Sequence, residues 1–278
     1  MQIETQLKNA QCTFPFTHLG LTHTKNAFSI TAWIPNATAV KVIDLATEKA
    51  IGTLTKQAAS DLFSAEFTKG KPPAVYAFEV KNPQGAYRII DPYQFQDQAF
   101  HAVHFVDHLP KNVYQQLGAQ LMDLDVGLAK SISATRFAVF APNASAVSII
   151  GDFNYWDGSC LPMQKTDFGY WVLVVPGVNA GDKYKYQIKD AAGNELPHKA
   201  DPVGFYADQY PSHASVVFDH EQYQWQDSKW QEQVKGDKYT QAMSIYEVHL
   251  GSWKRPSAES DARYLSYREL VDELIPYV

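Results

Sequence analysis

The chain has 278 residues, is 45% apolar and 19% charged, and carries a net charge of −6. That composition describes an ordinary globular protein of about two domains. It excludes a disordered chain, and with no basic run it gives no reason to expect a nucleic-acid partner.

The first residues, MQIETQLKNAQC, lack a basic start followed by an apolar stretch, so no signal peptide is evident. No apolar run along the chain approaches ~18 residues, so no membrane span is expected. Cys12 and Cys160 are the only two cysteines, one in each half. That is no disulfide framework, and it points to a reducing compartment.

Strand patterning begins at residue 27. Residues 27–34 alternate apolar and polar and read as a strand, which ends in the turn signal Pro35-Asn36-Ala37. Val40–Leu45, Phe63–Phe67 and Tyr76–Val80 follow as further strands, the last entering a turn that ends at Gly85. Residues 96–130 change character. VYQQLGAQLMDL reads as helix-like, and the segment is expected to be a linker turn packed between domains. Its His101, His104 and His108, with Asp107, have a spacing that can place ligands on one helical face. The expectation nevertheless is a His-rich polar segment and no metal.

The pattern then repeats. Residues 30–43 read ITAWIPNATAVKVI, and residues 137–150 read FAVFAPNASAVSII, with Pro35 and Pro142 107 residues apart. YAFEVKNPQG at 76–85 is echoed by YKYQIKDAAG at 184–193, and Asp91-Pro92 by Asp201-Pro202, now 110 residues apart. So slow a drift marks a duplicated domain. The second copy's strands are residues 136–141, 147–150, 170–175 and 184–188. Strands every 8–14 residues with turn punctuation suggest a small antiparallel sandwich, present twice.

The two copies differ at one place. The second follows its repeated phrase with GDFNYWDG (151–158), whereas the first has DLATEKAIG (44–52), with no aromatic. Aromatic residues make up 13% of the chain. Most read as sandwich packing, and Trp156 and Trp171 are the two that look able to stack on a sugar.

Residues 219–241 are polar and aromatic and read as a connector. The last stretch follows other rules. Met243–Leu250 reads as a compact strand. Ser266 to Glu269 is a capping box, and Tyr267, Leu270, Val271, Leu274 and Tyr277 sit at helical spacing on one face. Strand, loop and amphipathic helix open an α/β unit. One such unit cannot close a sheet, so it reads as a third domain cut off at its first unit. Glu247 and His249 alternate on the predicted strand and are expected to brace it rather than to act as an acid–base pair. No GxSxG, P-loop, GxGxxG or CxxC occurs, which leaves those hydrolase, nucleotide and redox classes without support.

These segments carry a family resemblance. FAVFAPNASAVSIIGDFNYWDG (137–158) resembles the family-48 carbohydrate-binding module of α-glucan-active enzymes. SIYEVHLGSWKR (244–255) followed by YLSYRELVDELIPYV (264–278) resembles the first barrel strand and helix of bacterial glycogen branching enzymes. PFTHLGLTH (15–23) and the sandwich after it resemble the extra N-terminal domain of many of those enzymes. The resemblance implies a mainly β chain of two tandem immunoglobulin-like β-sandwiches followed by the first βα unit of a truncated (β/α)8 barrel. The expected divisions are an N-terminal sandwich at 1–110, a linker at 111–130, a carbohydrate-module sandwich at 131–220, a connector at 221–241 and the barrel start at 242–278. It also implies a cytoplasmic parent enzyme that moves α-1,4-glucan segments to 6-hydroxyls by a retaining mechanism. The carboxylates for that chemistry lie on later barrel strands, so the chain alone is expected to be inactive and to need no cofactor.

The expected partners are α-glucan and, in the parent enzyme, the catalytic barrel. The expected glucan contacts are Trp156 and Trp171 as stacking rings, Asn154 and Asp157 as polar neighbours of the sugar hydroxyls, and Lys185, which matches a sugar-contacting lysine of the stronger binders. Those binders carry a second Trp in the turn after the lysine strand. Here that turn, Asp190 to Leu196, has no aromatic, so only weak binding is expected. Residues 1–110 are expected to be structural or to tune chain length. Two alternatives stand beside this reading: a free-standing glucan-binding scaffold, and the front end of a debranching hydrolase.

Overall fold

A computed structural model gives the structure of the chain, described for residues 2–101, 111–233, 240, 242–256 and 263–278. His104, Asp107 and His108 lie outside the described residues, as does the side chain of His101. The described residues form two compact units, 1–222 and 223–278.

The first unit opens with helix α1 (Ile3–Lys8). Seven strands follow: β1 (Gly20–His23), β2 (Phe28–Trp33), β3 (Ala39–Asp44), β4 (Lys49–Lys56), β5 (Leu62–Phe67), β6 (Tyr76–Asn82) and β7 (Gly85–Ile90). They make one antiparallel sheet in the order β1-β2-β5-β4-β3-β6-β7. Strand β4 pairs with β3 through most of its length and with β5 at Thr55 and Lys56, so the sheet curls over its own core. That core holds Phe28, Ile30, Ala32, Val40, Val42, Phe63, Phe78 and Val80, the inward residues of an alternating pattern.

Helices α2 (Gln96–His101) and α3 (Val113–Gln116) lead into the second copy. The helix-like reading of residues 113–124 holds only over α3. Gly118–Leu124 is a strand, β8, paired along its whole length with β9 (Ile132–Phe140). The segment expected to be a linker therefore supplies a sheet edge. The remaining strands are β10 (Ala146–Gly151), β11 (Gln164–Lys165), β12 (Tyr170–Pro176), β13 (Lys183–Lys189), β14 (Tyr206–Ala207) and β15 (Ser215–Val216). They form two four-stranded sheets, β10-β13-β15-β14 and β11-β12-β9-β8.

The duplication is visible in the pairing. Strand β2 pairs with β5 as β9 pairs with β12, and β3 pairs with β6 as β10 pairs with β13. Each copy also closes its sandwich with the same buried contact. The Tyr76 hydroxyl donates to Asp91 at 2.6 Å, and the Tyr184 hydroxyl donates to Asp201 at 2.8 Å. The other oxygen of each carboxylate accepts the backbone N–H two residues on, Tyr93 at 3.0 Å and Val203 at 2.8 Å. The echo of Asp91-Pro92 in Asp201-Pro202 thus preserves a tyrosine–aspartate latch.

Strand β12 reads YWVLVV without alternation because both of its faces are buried. Trp171, Leu173 and Val175 face the sandwich core with Phe137 and Val139. Tyr170, Val172 and Val174 face the other way, onto Val75, Phe95, Ala99 and Leu117. A strand covered on both sides loses the period-2 pattern. The sandwich core also takes in Leu7, Cys12, Trp33 and Tyr93, so the N-terminal copy and the second copy share one apolar interior.

Burial pushes the Asp91 carboxyl up to about 6, against the opposing pull of the Tyr76 and Tyr93 hydrogen bonds. A raised carboxyl pKa favours the folded state most below the unfolded value of about 3.9, and that contribution is lost as pH rises towards 6. About two pH units correspond to roughly 2–3 kcal/mol. In urea unfolding of the wild-type chain and of Asp91→Asn, the stability difference between the two should change by about that amount from pH 4 to pH 7, with the wild type losing more. Parallel curves would contradict it.

The second unit, residues 223–278, contains α4 (Ser228–Gln233), α5 (Leu250–Trp253) and α6 (Tyr267–Leu274). The capping box forms as expected: Ser266 Oγ accepts from Glu269 N–H at 3.3 Å, and the Glu269 carboxylate accepts from Ser266 N–H at 2.8 Å. The Arg263 guanidinium on Glu269, with the Ser266 bonds after it, holds that carboxyl down at about 2. The expected strand at 243–250 does not form. Residues 242–249 carry no regular structure, and Met243 and Ile245 are exposed. A parallel strand draws its backbone hydrogen bonds from neighbours on a sheet, and none is formed among the described residues of this unit. His249 instead stands at the N-cap position of α5 without a side-chain cap bond, its ring nitrogen 3.0 Å from Ser252 Oγ, and gives no support for a brace on a strand. Tyr246 and Trp253 pack on Tyr277 at ring-centroid distances of 5.6 and 5.7 Å.

Candidate glucan-contact site

The place where the copies differ in sequence is where they differ in structure. In the first copy, the segment after β3 turns once and becomes β4, which fills the gap between β3 and β5. In the second, residues 161–165 keep that bridging role. Ile149 N–H donates to Leu161 O and Met163 N–H to Val147 O, and β11 then pairs with β12. Residues 152–160 are an excursion from that path. The first copy has a strand where the second displays a loop.

The loop is tightly fixed. Gly151 sits at the end of β10 opposite Tyr184, and a Cβ there would stand 2.3 Å from Lys183 O and 2.6 Å from the Phe153 ring. Only glycine admits that approach. Asn154 is buried, and its side chain holds the loop from inside. Its Oδ1 accepts from Gly151 N–H at 2.8 Å, and its Nδ2 donates to Ile149 O at 2.9 Å and Asp157 O at 3.3 Å. Tyr155 and Trp156 follow with φ of 56° and 60°, a left-handed pair of non-glycine residues. Such a conformation costs of order 1 kcal/mol at each and persists only when its surroundings impose it. Trp156 is half-buried, and its indole N–H donates to Asp152 Oδ1 at 2.9 Å. At the far end, a Cβ on Gly158 would fall on the Gln187 amide of β13, so loop and strand are in direct contact.

The expected residues therefore separate. Trp156 and Asp157 are on the loop surface, Asp157 exposed with one oxygen accepting from Ser159 N–H at 2.8 Å. Lys185 projects from the outer face of β13 beside this loop, where its ammonium donates to Ser212 O at 2.6 Å. That bond ties it to the hairpin between β14 and β15. Lys183, two positions earlier, is held above the usual lysine range by its hydrogen bond to Asp208 at 2.9 Å.

Two expected contacts are corrected. Trp171 is fully buried, and its indole N–H donates to Ala141 O at 3.0 Å. It is a core residue with no face for a sugar, and Lys165 covers part of it as a cation over the ring. Asn154 spends its amide on three backbone partners and has no group turned outward.

Two exposed rings escaped the sequence reading. Tyr155 is 93% exposed, and Tyr210, at the tip of the β14–β15 hairpin beside the Lys185 anchor, is 84% exposed. The signal for Tyr155 was its place between a buried Asn and a Trp in a turn. Nothing in the alternation around Tyr210 marks it.

Both thiols are held protonated by burial. Cys12 is pushed up to about 11, and Cys160 to about 12 with help from the Asp157 carboxylate. Among the described residues no group of His, Cys, Asp and Glu could hold a metal ion, and no helix is long and apolar enough to cross a membrane.

Two family models match the chain. Residues 2–93 match the family model described as the alpha-1,4-glucan branching enzyme GlgB, N-terminal domain. Residues 116–204 match carbohydrate-binding module 48, the isoamylase N-terminal domain. The chain is similar to the 1,4-alpha-glucan branching enzyme GlgB of Pseudoalteromonas atlantica, 86% identical over 278 residues, which is the whole chain and 38% of that relative. It is 40% identical over 273 residues to the enzyme of the same name from Photobacterium profundum, covering 98% of the chain and 37% of the relative. With Rubrobacter xylanophilus GlgB it shares 38% identity over 269 residues, 95% of the chain and 35% of the relative. The chain thus spans less than two-fifths of the length of the curated relatives it matches. Two adjoining domain matches in the order in which the repeat lays them out, and identity along the whole chain, lead to one assignment: the chain belongs, as an N-terminal part, to the 1,4-alpha-glucan branching enzyme GlgB family.

Proposed function

We propose that this chain contacts α-glucan weakly on the outer face of its second sandwich, with Trp156 as the stacking ring and Asp157 and Lys185 as its polar neighbours. The whole protein would transfer α-1,4-linked glucan segments to 6-hydroxyls and so make the α-1,6 branches of glycogen in the cytoplasm. The carboxylates for that transfer belong to the part of the relatives that this chain does not span.

The observation that carries the binding reading is the loop at 152–160. A segment that is a strand in one copy is, in the other, a rigid excursion that holds an aromatic ring at the surface. Its order is set before any ligand arrives, which lowers the entropy cost of binding. The apolar face of a sugar ring suits an indole, and its hydroxyls suit Asp157 and Lys185. One such ring supplies about 1–2 kcal/mol, and its polar neighbours must supply the rest of the roughly 4 kcal/mol that a millimolar site needs; a branched polymer gains further through many simultaneous contacts.

Affinity electrophoresis in a glycogen gel checks it. The chain should be retarded, and Trp156→Ala should lose most of the retardation, about a tenfold drop in affinity for a loss near 1.4 kcal/mol. If both proteins migrate as in a gel without glycogen, the binding reading is lost.

A further inference from the structure

The outer face of β13 carries Lys183, Lys185, Gln187 and Lys189 at alternate positions. Lys183 and Lys185 are partly open to solvent, yet Lys189 on the same face is only 8% exposed. The cover includes the N-terminal segment. Helix α1 ends at Lys8, Ala10 turns the chain with φ 51°, and Gln11 N–H closes the turn on Gln6 O at 2.7 Å. The next residues are stitched to the second sandwich: Thr13 Oγ1 donates to Ser145 O at 3.1 Å, and Lys165 N–H donates to Thr13 O at 3.0 Å. Leu7 and Cys12 are anchored in the shared core.

Between this segment and the loop lies a cavity of about 330 Å³. Lys8 and Gln11 line it from the N-terminal side, Asp157 and Ser159 from the loop, and Gln187 and Lys189 from β13, with Glu195 at the rim. Its volume is at the small end of ligand pockets. No aromatic residue lines it. The wall offers three carboxamides, those of Asn9, Gln11 and Gln187, with two ammonium groups, a hydroxyl and two carboxylates. Gln187 Nε2 donates to Glu195 Oε2 at 2.6 Å, and Lys189 Nζ lies 3.4 Å from the same oxygen. Gln11 Oε1 is buried and has no hydrogen-bond partner. The charges are balanced, so the wall favours neither an anion nor a cation. It fits a neutral molecule dense in hydroxyls, each able to donate and accept.

From this arrangement we infer that the pocket between Lys8–Gln11 and β13 is a second carbohydrate subsite, which holds one or two glucosyl units by hydrogen bonds alone. The N-terminal segment is then part of the ligand site, and the row of β13 side chains leads from the Trp156 loop into it. The inference rests on the reading of the chain as an α-glucan binder, and it places a contact where that reading put none.

Maltose titration of the 15N-labelled chain, followed by NMR, tests it. The Gln11 and Gln187 side-chain amide signals should shift saturably. Gln11→Ala and Gln187→Ala should each weaken maltose binding about five- to tenfold, the loss of one or two hydrogen bonds, at an unchanged unfolding midpoint. The two substitutions lie on different elements, so a folding defect in one leaves the other decisive. In Trp156→Ala the two amides should still shift. If the Trp156 indole signal moves while both amides stay fixed, or if both variants bind as the wild type does, the pocket is not a subsite and the weak-glucan reading stands. If no signal moves up to high maltose concentration, both readings fall.

Discussion

Trp171→Ala is expected to destabilise the first unit by about 3–5 kcal/mol, the usual cost of truncating a buried aromatic to alanine. The ring is fully buried in the core that joins the two copies, beside Phe137, Leu173 and Tyr184, and its N–H bond to Ala141 O is lost with it. For a unit of this size the melting point should fall by roughly 10 °C. Trp171→Phe keeps most of the apolar volume and should cost less than half as much. The contrast with Trp156 is direct. Trp156→Ala should reduce retardation by glycogen and leave the melting point within a few degrees, whereas Trp171→Phe should lower the melting point and leave retardation alone. Thermal unfolding and glycogen electrophoresis of the same two variants separate a core ring from a contact ring. Equal loss of binding in both would return Trp171 to the site.

Asp201→Ala should have a comparable effect by a different route. The carboxylate accepts from two buried hydroxyls, Tyr184 Oη at 2.8 Å and Tyr186 Oη at 2.9 Å, and from the half-buried Val203 N–H at 2.8 Å. Burial raises its pKa, and these three bonds oppose the shift. Removal of the acceptor orphans all three at about 1–3 kcal/mol each before relaxation, so a net loss of about 3–5 kcal/mol is expected in urea unfolding. Asp201→Asn should be milder, because a tyrosine hydroxyl can turn to accept from the new amide. An Asn variant as unstable as the Ala variant would show that the charge of the carboxylate, rather than its place as an acceptor, matters. The same reasoning applies to Asp91 in the first copy, where one tyrosine instead of two donates.

These two residues also show what the sequence could reveal. The repeat aligned Tyr76 with Tyr184 and Asp91 with Asp201, and the strands read from the sequence overlap β2, β3, β5 and β6 and their counterparts, overrunning β2 by one residue at each end and β3 and β9 by one residue at one end. The latch itself was invisible, since nothing in a linear echo says that two of its members touch. Trp171 was misread for a definable reason. In YWVLVV neither parity of position is polar, so periodicity cannot separate an inward face from an outward one, and both proved buried. Residues 113–124 were misread because Leu117, Leu121 and Leu124 fit helical spacing, while the edge of the β9 sheet offered seven residues of backbone pairing that only tertiary structure supplies. Asn154 was placed in the site on its chemistry, and the structure uses that same chemistry to pin the loop. At 243–250 the residues have strand character, but the described residues of their unit form no sheet to join, so local propensity had nothing to act on.

The deciding distinction is between two copies of one fold, one with a strand and one with a displayed loop at the same point in the path. An NMR titration of the chain with maltoheptaose, read at every assigned backbone amide and at the tryptophan indoles, tests that distinction most directly. Shifts should concentrate at residues 151–158 and 183–189, extend through the second subsite to residues 8–11, and be absent from residues 39–56 of the first copy. Shifts centred on residues 39–56, or an unperturbed 151–158 loop at saturating sugar, would contradict the account.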